Sequence, residues 1–165
     1  MKAAPFRVIL LDATHERKNF QSGSAPLDHY FQQQVSQDMR RRITACFIAV
    51  TSEQEIAGYY TLASASVQLT DLPPATGKKL PRYPSVPAVR MGRLAVDQKF
   101  KGQGLGAALL ADALDRVLLS EIASFALMVD AKDNVAADFY RYHGFVELPE
   151  SPLRLFIPIA TVRNR

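Results

Sequence analysis

Residues 93–106 read RLAVDQKFKGQGLG, in which an apolar run leads into a loop with three glycines. The pattern over residues 88–96 predicts a β-strand, and helical spacing of apolar side chains over residues 104–119 predicts a helix. Glycine has no Cβ, so the loop lets the backbone approach a bulky anion, toward which the free N–H groups of the first helical turn point. The stretch predicts a site for a pyrophosphate-bearing ligand, formed by Lys101, Gly102, Gln103, Gly104, Leu105 and Gly106.

Two well-known phosphate-binding loops fit this stretch poorly. A Rossmann loop follows the first strand with the spacing G-x-G-x-x-G, whereas this loop lies past the middle of the chain and has another spacing. A P-loop has a Gly, four intervening residues, and then Gly-Lys followed directly by Ser or Thr. The sequence contains no such segment. Dinucleotide binding and nucleotide hydrolysis are therefore disfavoured.

The rest of the chain alternates between strand and helix patterns. β-Rich runs predict strands over residues 6–11, 43–51, 56–69, 125–129, 145–148 and 153–159. Helical spacing predicts helices over residues 27–41 and 134–142, and Gly58 suggests a bulge. Prolines over residues 71–87 predict a long surface loop without regular helix or strand. This order predicts a mixed α/β fold in one domain over residues 1–165.

Composition narrows the classes of function. The formal net charge of +4 and the pI near 9.3 indicate a surface that favours polyanions. The lone Cys46 excludes an intramolecular disulfide, and its apolar neighbours suggest a buried thiol. His15, His29 and His143 lack metal-ligand spacing, so we expect no metal site. Neither a secretory signal nor a membrane-spanning stretch is evident, and we expect a cytoplasmic protein.

The glycine loop resembles the acetyl-CoA loop of the GNAT superfamily of N-acetyltransferases. That loop has a basic residue or Gln, two further residues and then G-x-G/A, which Lys101, Gly104 and Gly106 match. Lys101 stands where Arg or Gln is commoner and keeps the positive charge. The resemblance implies a GNAT fold, with a central, mostly antiparallel twisted sheet flanked by helices and strands that splay at the acetyl-CoA site.

Further segments resemble the TacT-type GNAT toxins of bacterial toxin–antitoxin pairs. The matching segments extend across nearly the whole chain and include residues 27–30, 58–62, 79–84, 92–97 and 139–140. This resemblance implies transfer of acetyl from acetyl-CoA to the α-amino group of an aminoacyl-tRNA, which blocks translation. It also implies a ribbon-helix-helix antitoxin as partner and a homodimer.

The resemblance assigns roles to individual residues. Tyr140 would be the general acid that protonates the departing CoA thiolate. Backbone N–H groups of Leu94, Ala95 and Val96 would hold the thioester oxygen and the pantetheine arm. Asn134 either orients the co-substrate together with Phe139 or caps a helix.

Basic residues around the predicted cofactor strand are candidates for contact with RNA phosphates: Lys78, Lys79, Arg82, Arg90 and Arg93. The cluster Arg40, Arg41 and Arg42 either binds RNA or complements the dipole at a helix end. Two other functions stay open. One is a GNAT enzyme that acetylates a small amine or a protein N-terminus, and the other is a non-catalytic acyl-CoA-binding regulatory module.

Overall fold

The structure, a computed structural model, describes residues 6–162. Its strands are β1 (Arg7–Leu10), β2 (Ala45–Val50), β3 (Ile56–Gln68), β4 (Ser85–Val96), β5 (Ala126–Asp130), β6 (Val146–Leu148) and β7 (Ser151–Pro158). Its α-helices are α1 (Ala25–His29), α2 (Val35–Arg40), α3 (Pro74–Gly77), α4 (Leu105–Leu119), α5 (Asn134–Tyr142) and α6 (Ile159–Val162). Short π- and 3₁₀-helical segments lie at Tyr30–Gln34, Leu69–Asp71 and Gln98–Phe100.

The strands form one mixed sheet in the order β1-β2-β3-β4-β5-β7-β6. Neighbours β1 and β2, β2 and β3, β5 and β7, and β6 and β7 pair antiparallel, whereas β4 and β5 pair parallel. A parallel pair needs a crossover connection, and α4 lies between β4 and β5 in the chain. The predicted mixed α/β class and the mostly antiparallel sheet are confirmed.

The described chain divides into two compact units. The first runs to Ala63 and resumes over Gly92–Ala113; it has an aromatic core in which the rings of Phe31 and Tyr59 stack 4.2 Å apart. The second comprises Ser64–Met91 and continues from Leu114; its core joins apolar side chains of five strands with Leu72. Each unit therefore buries its own apolar surface, the main driving force for folding.

The proline-rich segment differs from the prediction. It contains a helical turn, α3, and β4 begins at Ser85 rather than at residue 88. Proline is well tolerated at the first helical position because its missing N–H has no intrahelical partner there, and Pro74 occupies that position. The expectation that these prolines exclude helix and strand throughout the segment was wrong.

Other predicted elements match more closely. Helix α5 has the predicted bounds, and the single helix expected over residues 27–41 is a helical segment interrupted by a π-helix at Tyr30–Gln34. The bulge expected at Gly58 is present, since Ala49 pairs with Gly58 but Val50 pairs with Ile56. Over residues 6–162, no helix combines the length and apolarity required to cross a membrane.

Candidate functional site

The glycine loop leaves the end of β4 and enters α4 at Leu105. Gly102 and Gly104 have φ values of +82° and +78°, in the left-handed region that side-chain-bearing residues rarely adopt. An added Cβ at either glycine would meet nothing within 4 Å, so these glycines serve conformation rather than close packing. The carbonyl of Gly104 accepts a hydrogen bond from the Ala108 N–H at 3.1 Å. The first N–H groups of α4 have no intrahelical acceptor and can bind an anion.

Residues 21–22, far upstream in the sequence, hold the turn that leads into this loop. The Asp97 carboxylate is buried and accepts hydrogen bonds from the N–H groups of Gln21 at 3.0 Å and Lys99 at 3.0 Å. The Gln98 N–H donates to the Gln21 carbonyl at 2.8 Å. The Lys101 ammonium donates to the Ser22 carbonyl at 2.6 Å. The Lys101 side chain thus links the loop to residue 22. Asp97, to which sequence reasoning assigned no role, orders the turn before the glycines.

The end of β4 holds the other predicted co-substrate residues. Its ladder with β5 covers residues 88–91, so Leu94, Ala95 and Val96 lie beyond the last pair of that ladder. Ala95 is buried, whereas Leu94 and Val96 are half-buried. Backbone N–H groups beyond a ladder's end can bind a ligand instead of a strand.

Tyr140 lies on α5 and is 5% exposed. Its ring contacts Phe139 and Phe145, with centroids 5.3 and 5.5 Å away. Burial, and to a lesser degree the negative charge of Asp130, raise the pKa of the Tyr140 hydroxyl. That hydroxyl makes no hydrogen bond to another residue in the described part of the chain. A protonated hydroxyl without an internal acceptor can donate its proton to a ligand.

The start of helix α5 excludes one of the two roles considered for Asn134, that of the N-cap. The N-cap is Asp133, whose side chain accepts a hydrogen bond from the Ala136 N–H at 2.9 Å. Asn134 is the first helical residue and is exposed. The capping explanation for Asn134 is therefore wrong, because the preceding carboxylate occupies the capping position, and the Asn134 side chain is not needed as the cap.

Four of the five predicted RNA-binding residues lie in the second unit. Lys78, Lys79 and Arg82, here called the basic loop, are exposed and have no carboxylate partner among residues 6–162. Arg90 differs, because it lies 3.8 Å from the Asp130 carboxylate, which also accepts a hydrogen bond from Arg154. The basic loop therefore presents positive charge that no carboxylate in the described part of the chain neutralises.

The fifth, Arg93, lies in the first unit and is half-buried. Its guanidinium carbon is 3.3 Å from the centroid of the Tyr30 ring. The Tyr30 hydroxyl donates a hydrogen bond of 2.7 Å to the Asp38 carboxylate, and this bond is the main reason that the pKa of Asp38 is lowered. Sequence reasoning assigned no site role to Tyr30 or Asp38.

The predicted site residues thus fall into two groups. The first unit contains Arg93, the end of β4 and the glycine loop; the second contains the basic loop, Arg90, Asn134, Phe139 and Tyr140. Within the described residues, no three His, Cys, Asp or Glu side chains are grouped so that they could hold a metal ion. Burial raises the pKa of the Cys46 thiol to about 12, which suits the inert buried thiol that was expected.

Comparison with known proteins gives a consistent family. The sequence profile of the acetyltransferase (GNAT) domain matches residues 12–155. A probable toxin TacT of Sinorhizobium fredii (strain NBRC 101917 / NGR234) is 28% identical over 160 residues, covering 91% of this chain and 88% of the relative. A tRNA-acetylating toxin of Mycobacterium tuberculosis (strain ATCC 25618 / H37Rv) is 33% identical over 147 residues, covering 88% of this chain and 87% of the relative.

Solved structures agree with these relatives. AtaT complexed with acetyl-methionyl-tRNAfMet superposes with a TM-score of 0.89 at 30% identity, covering 96% of this chain and 98% of that one. A mutant AtaT toxin bound to the C-terminus of the antitoxin AtaR and acetyl-CoA superposes with a TM-score of 0.83 at 25% identity, covering 98% of each chain. The predicted fold is therefore confirmed by structures that match nearly the full length of this chain.

Proposed function

Because the chain belongs to the GNAT acetyltransferase family, with acetyl-CoA as co-substrate, we propose that it acetylates the α-amino group of an aminoacyl-tRNA. Such a product has no free amine for peptide-bond formation, so the protein would be a toxin that blocks translation. The observation that carries the choice of acceptor is the exposed, unneutralised basic loop, in a chain similar to a tRNA-acetylating toxin.

The glycine loop is the proposed site for the pyrophosphate of acetyl-CoA. The backbone N–H groups over residues 102–106 would donate to the phosphoryl oxygens, while the dipole of α4 adds partial positive charge. Lys101 would contribute its charge nearby, and the family resemblance implies Asn134 and Phe139 as further contacts of the co-substrate. Support comes from the two left-handed glycines and from the fifteen-residue helix that follows them.

The proposed reaction needs a polarised thioester and a proton for the leaving group. Backbone N–H groups of Leu94, Ala95 and Val96 would hydrogen-bond the thioester oxygen and draw charge from the carbonyl carbon. The neutral α-amine attacks that carbon, the amide C–N bond forms, and the C–S bond breaks. The attacking nitrogen loses its extra proton to solvent.

Tyr140 would donate its hydroxyl proton to the departing sulfur and later be reprotonated by water. Its raised pKa keeps the hydroxyl protonated at neutral pH, as a general acid requires. A free general base is not needed, because an aminoacyl α-amine should be less basic than a lysine side chain and partly neutral near pH 7.

The tRNA acceptor would be bound through electrostatic attraction between basic side chains and its phosphates. Lys78, Lys79, Arg82, Arg90 and Arg93 would contact backbone phosphates of the tRNA, and contacts of this kind position a nucleic acid without reading its sequence. We further propose one GNAT domain over residues 1–165, a homodimer, a ribbon-helix-helix antitoxin as partner, and residence in the cytoplasm, where charged tRNA is found. The similarity to toxins, one of them bound to an antitoxin, supports this set.

The decisive experiment incubates the protein with radiolabelled acetyl-CoA and total charged tRNA. We expect label in N-acetyl-aminoacyl-tRNA and none in uncharged tRNA. Polyamines, aminoglycosides and N-terminal peptides are assayed in parallel. Label in one of these acceptors alone would establish the small-amine or N-terminal alternative. Binding of acetyl-CoA without CoA release toward any acceptor would establish a non-catalytic module.

The basic loop has its own test. The variant in which Lys78, Lys79 and Arg82 are all replaced by Gln removes three charges. If each contacts one phosphate, the slope of log(kcat/KM) against log salt becomes shallower by about 2 to 3, at roughly 0.7 to 0.9 per contact. Lys18→Gln, another exposed charge, is the control and keeps the slope. An unchanged slope in the triple variant would remove the basic loop from the RNA-binding surface.

A further inference from the structure

The contacts of Arg93, one of the residues proposed above to bind tRNA phosphates, point to a second residue that positions its guanidinium. Three side chains of the first unit are arranged in series: the Arg93 guanidinium over the Tyr30 ring, and the Tyr30 hydroxyl on Asp38. We call this series the Tyr30 stack. Gln34 donates a second hydrogen bond to the Asp38 carboxylate at 3.2 Å.

The backbone that carries the stack is unusual. Tyr30 begins the five-residue π-helix, and the Val35 N–H donates to the Tyr30 carbonyl, five residues back. Such segments are rare and are often found at functional sites. The π-helix shifts the register between Tyr30 and Asp38, eight residues apart, whose side chains meet at 2.7 Å. The π-helical segment therefore coincides with the contact that orients the tyrosine.

The tyrosine itself is well fixed. Tyr30 is 7% exposed, so its hydroxyl requires a hydrogen-bond partner, and the half-buried Asp38 supplies one. Its ring thus presents a fixed face to Arg93. With its carbon 3.3 Å from the ring centroid, the guanidinium is held over that face by a cation–π contact.

The N–H groups at the edge of the Arg93 guanidinium are available to a ligand. Its N–H groups make no hydrogen bond or ion pair with any residue that the structure describes. Arg17 is a useful contrast, because its guanidinium also lies near an aromatic ring but donates to the Phe31 carbonyl at 2.7 Å. A guanidinium held over an aromatic ring with its donors unused is suited to bidentate binding of a phosphate.

We propose that Arg93 binds a phosphate group of a reactant, and that Tyr30 is a positioning residue which holds the guanidinium in the orientation this requires. The inference rests on the proposed function for its acceptor. The chemistry is a phosphate monoanion beside the end of β4, immediately before Leu94. Two reactants carry such groups, the tRNA and acetyl-CoA, and their Michaelis constants distinguish them.

The test measures steady-state kinetics of Arg93→Gln and Tyr30→Leu with each reactant varied in turn. Both variants are expected to raise one KM about tenfold with kcat changed less than about twofold, as for loss of a charge-assisted or cation–π contact. If the phosphate is on tRNA, Arg93→Gln also reduces the salt slope of kcat/KM by roughly 0.7 to 0.9. If it is on acetyl-CoA, the affected constant is the KM for acetyl-CoA, and calorimetry shows the same loss.

Two further variants separate positioning from simple packing. Tyr30→Phe keeps the ring and is expected to retain a KM within about threefold of wild type, which Tyr30→Leu does not. Arg17→Gln removes a structural guanidinium and is expected to lower the melting temperature without changing either KM. The double variant Tyr30→Leu/Arg93→Gln is expected to be no worse than Arg93→Gln alone, because both substitutions remove the same contact.

The outcomes are distinct. Unchanged constants for both reactants in folded Arg93→Gln overturn the phosphate site. An impaired Arg93→Gln beside a normal Tyr30→Leu, or additive losses in the double variant, overturn the positioning role. Should Tyr30→Leu fail to fold, Tyr30→Met, which also removes the aromatic ring, takes its place, and the proposal then requires Tyr30→Met to raise the same KM as Arg93→Gln. If wild type acetylates no charged tRNA, the proposed function fails, while acetyl-CoA binding by Arg93→Gln still tests the phosphate site.

Discussion

The glycine loop and helix α5 are two kinds of site. In the loop the useful groups are backbone N–H donors, and Gly102 and Gly104 serve through their φ values while lacking any neighbour within 4 Å of an added Cβ. In α5 the useful group is one side-chain oxygen, and Tyr140 is 5% exposed among aromatic rings. The loop is open and depends on conformation, whereas the helix is packed and depends on one functional group.

This difference implies that substitutions should separate binding from chemistry. A change in the loop alters where N–H groups point and should affect the affinity for acetyl-CoA. A change of the Tyr140 hydroxyl leaves every packing contact of the ring in place and should affect only the rate of the chemical step. Three variants sharpen or break this contrast.

The largest effect is expected for Tyr140→Phe. Removing the general acid should lower kcat by about 10² to 10⁴-fold, the usual contribution of proton transfer. The KM for acetyl-CoA and the melting temperature should stay close to wild type, because the hydroxyl has no hydrogen-bond partner among residues 6–162. Steady-state kinetics with charged tRNA and thermal unfolding measure both.

Tyr142→Phe is the matched control for that variant, because Tyr142 is 86% exposed on the same helix. It should leave kcat unchanged. The raised pKa of Tyr140 adds a pH signature, since the acid form persists above neutrality. The wild-type kcat should therefore not decline up to about pH 9, below the ordinary tyrosine pKa of about 10. A folded Tyr140→Phe variant with full activity would assign the proton to another donor.

A smaller effect is expected for Gly104→Ala. Alanine at a φ of +78° is strained by about 1 to 2 kcal/mol, so the loop should relax and misdirect its N–H groups. Calorimetry should give a roughly tenfold weaker affinity for acetyl-CoA, with kcat at saturation nearly retained.

Gly77→Ala is the control for the loop variant. Gly77 lies at the end of a helical turn, and an added Cβ there meets only the Leu69 carbonyl at 3.4 Å. Its affinity for acetyl-CoA should match wild type. If Gly104→Ala binds equally well, the left-handed glycine is dispensable and the loop is not the pyrophosphate site.

The smallest effect on affinity should come from a glycine that is packed against its neighbours. An added Cβ at Gly58 would lie 2.9 Å from both the Ala95 carbonyl oxygen and a Leu109 methyl group. Gly58→Ala should therefore lower the free energy of unfolding by about 1 to 3 kcal/mol through overpacking, which denaturant titration measures. Its affinity for acetyl-CoA should fall less than that of Gly104→Ala. A larger loss of affinity would mean that packing, rather than loop conformation, controls binding.

Local features of this fold could be predicted from sequence. The periodicity of α5 is short-range information, and so is the spacing of the glycines after an apolar strand, which identified the loop. The cap of α5 shows the limit of such information. Asp133 and Asn134 are adjacent and both are good capping residues, so composition cannot tell which of them adopts the extended conformation that a cap requires.

Contacts between residues that are far apart in the sequence could not be predicted from it. Asp97 accepts from Gln21, which is 76 positions away, and Arg93 lies over Tyr30, 63 residues earlier in the chain. Nothing in the spacing of these residues brings them together, because the pairing depends on the packing of the whole first unit. The aromatic and acidic partners of a predicted arginine therefore had to come from the structure.

The ties between residues 21–22 and 97–101 have a thermodynamic consequence. Three hydrogen bonds across that junction, one of them to a buried carboxylate, order the approach to the glycines when the chain folds. The conformational entropy of the segment that leads into the glycine loop is therefore lost during folding. Less conformational freedom remains to be lost when the co-substrate binds. Affinity for a phosphorylated carrier would in this way originate partly in a stretch of chain that precedes the first helix.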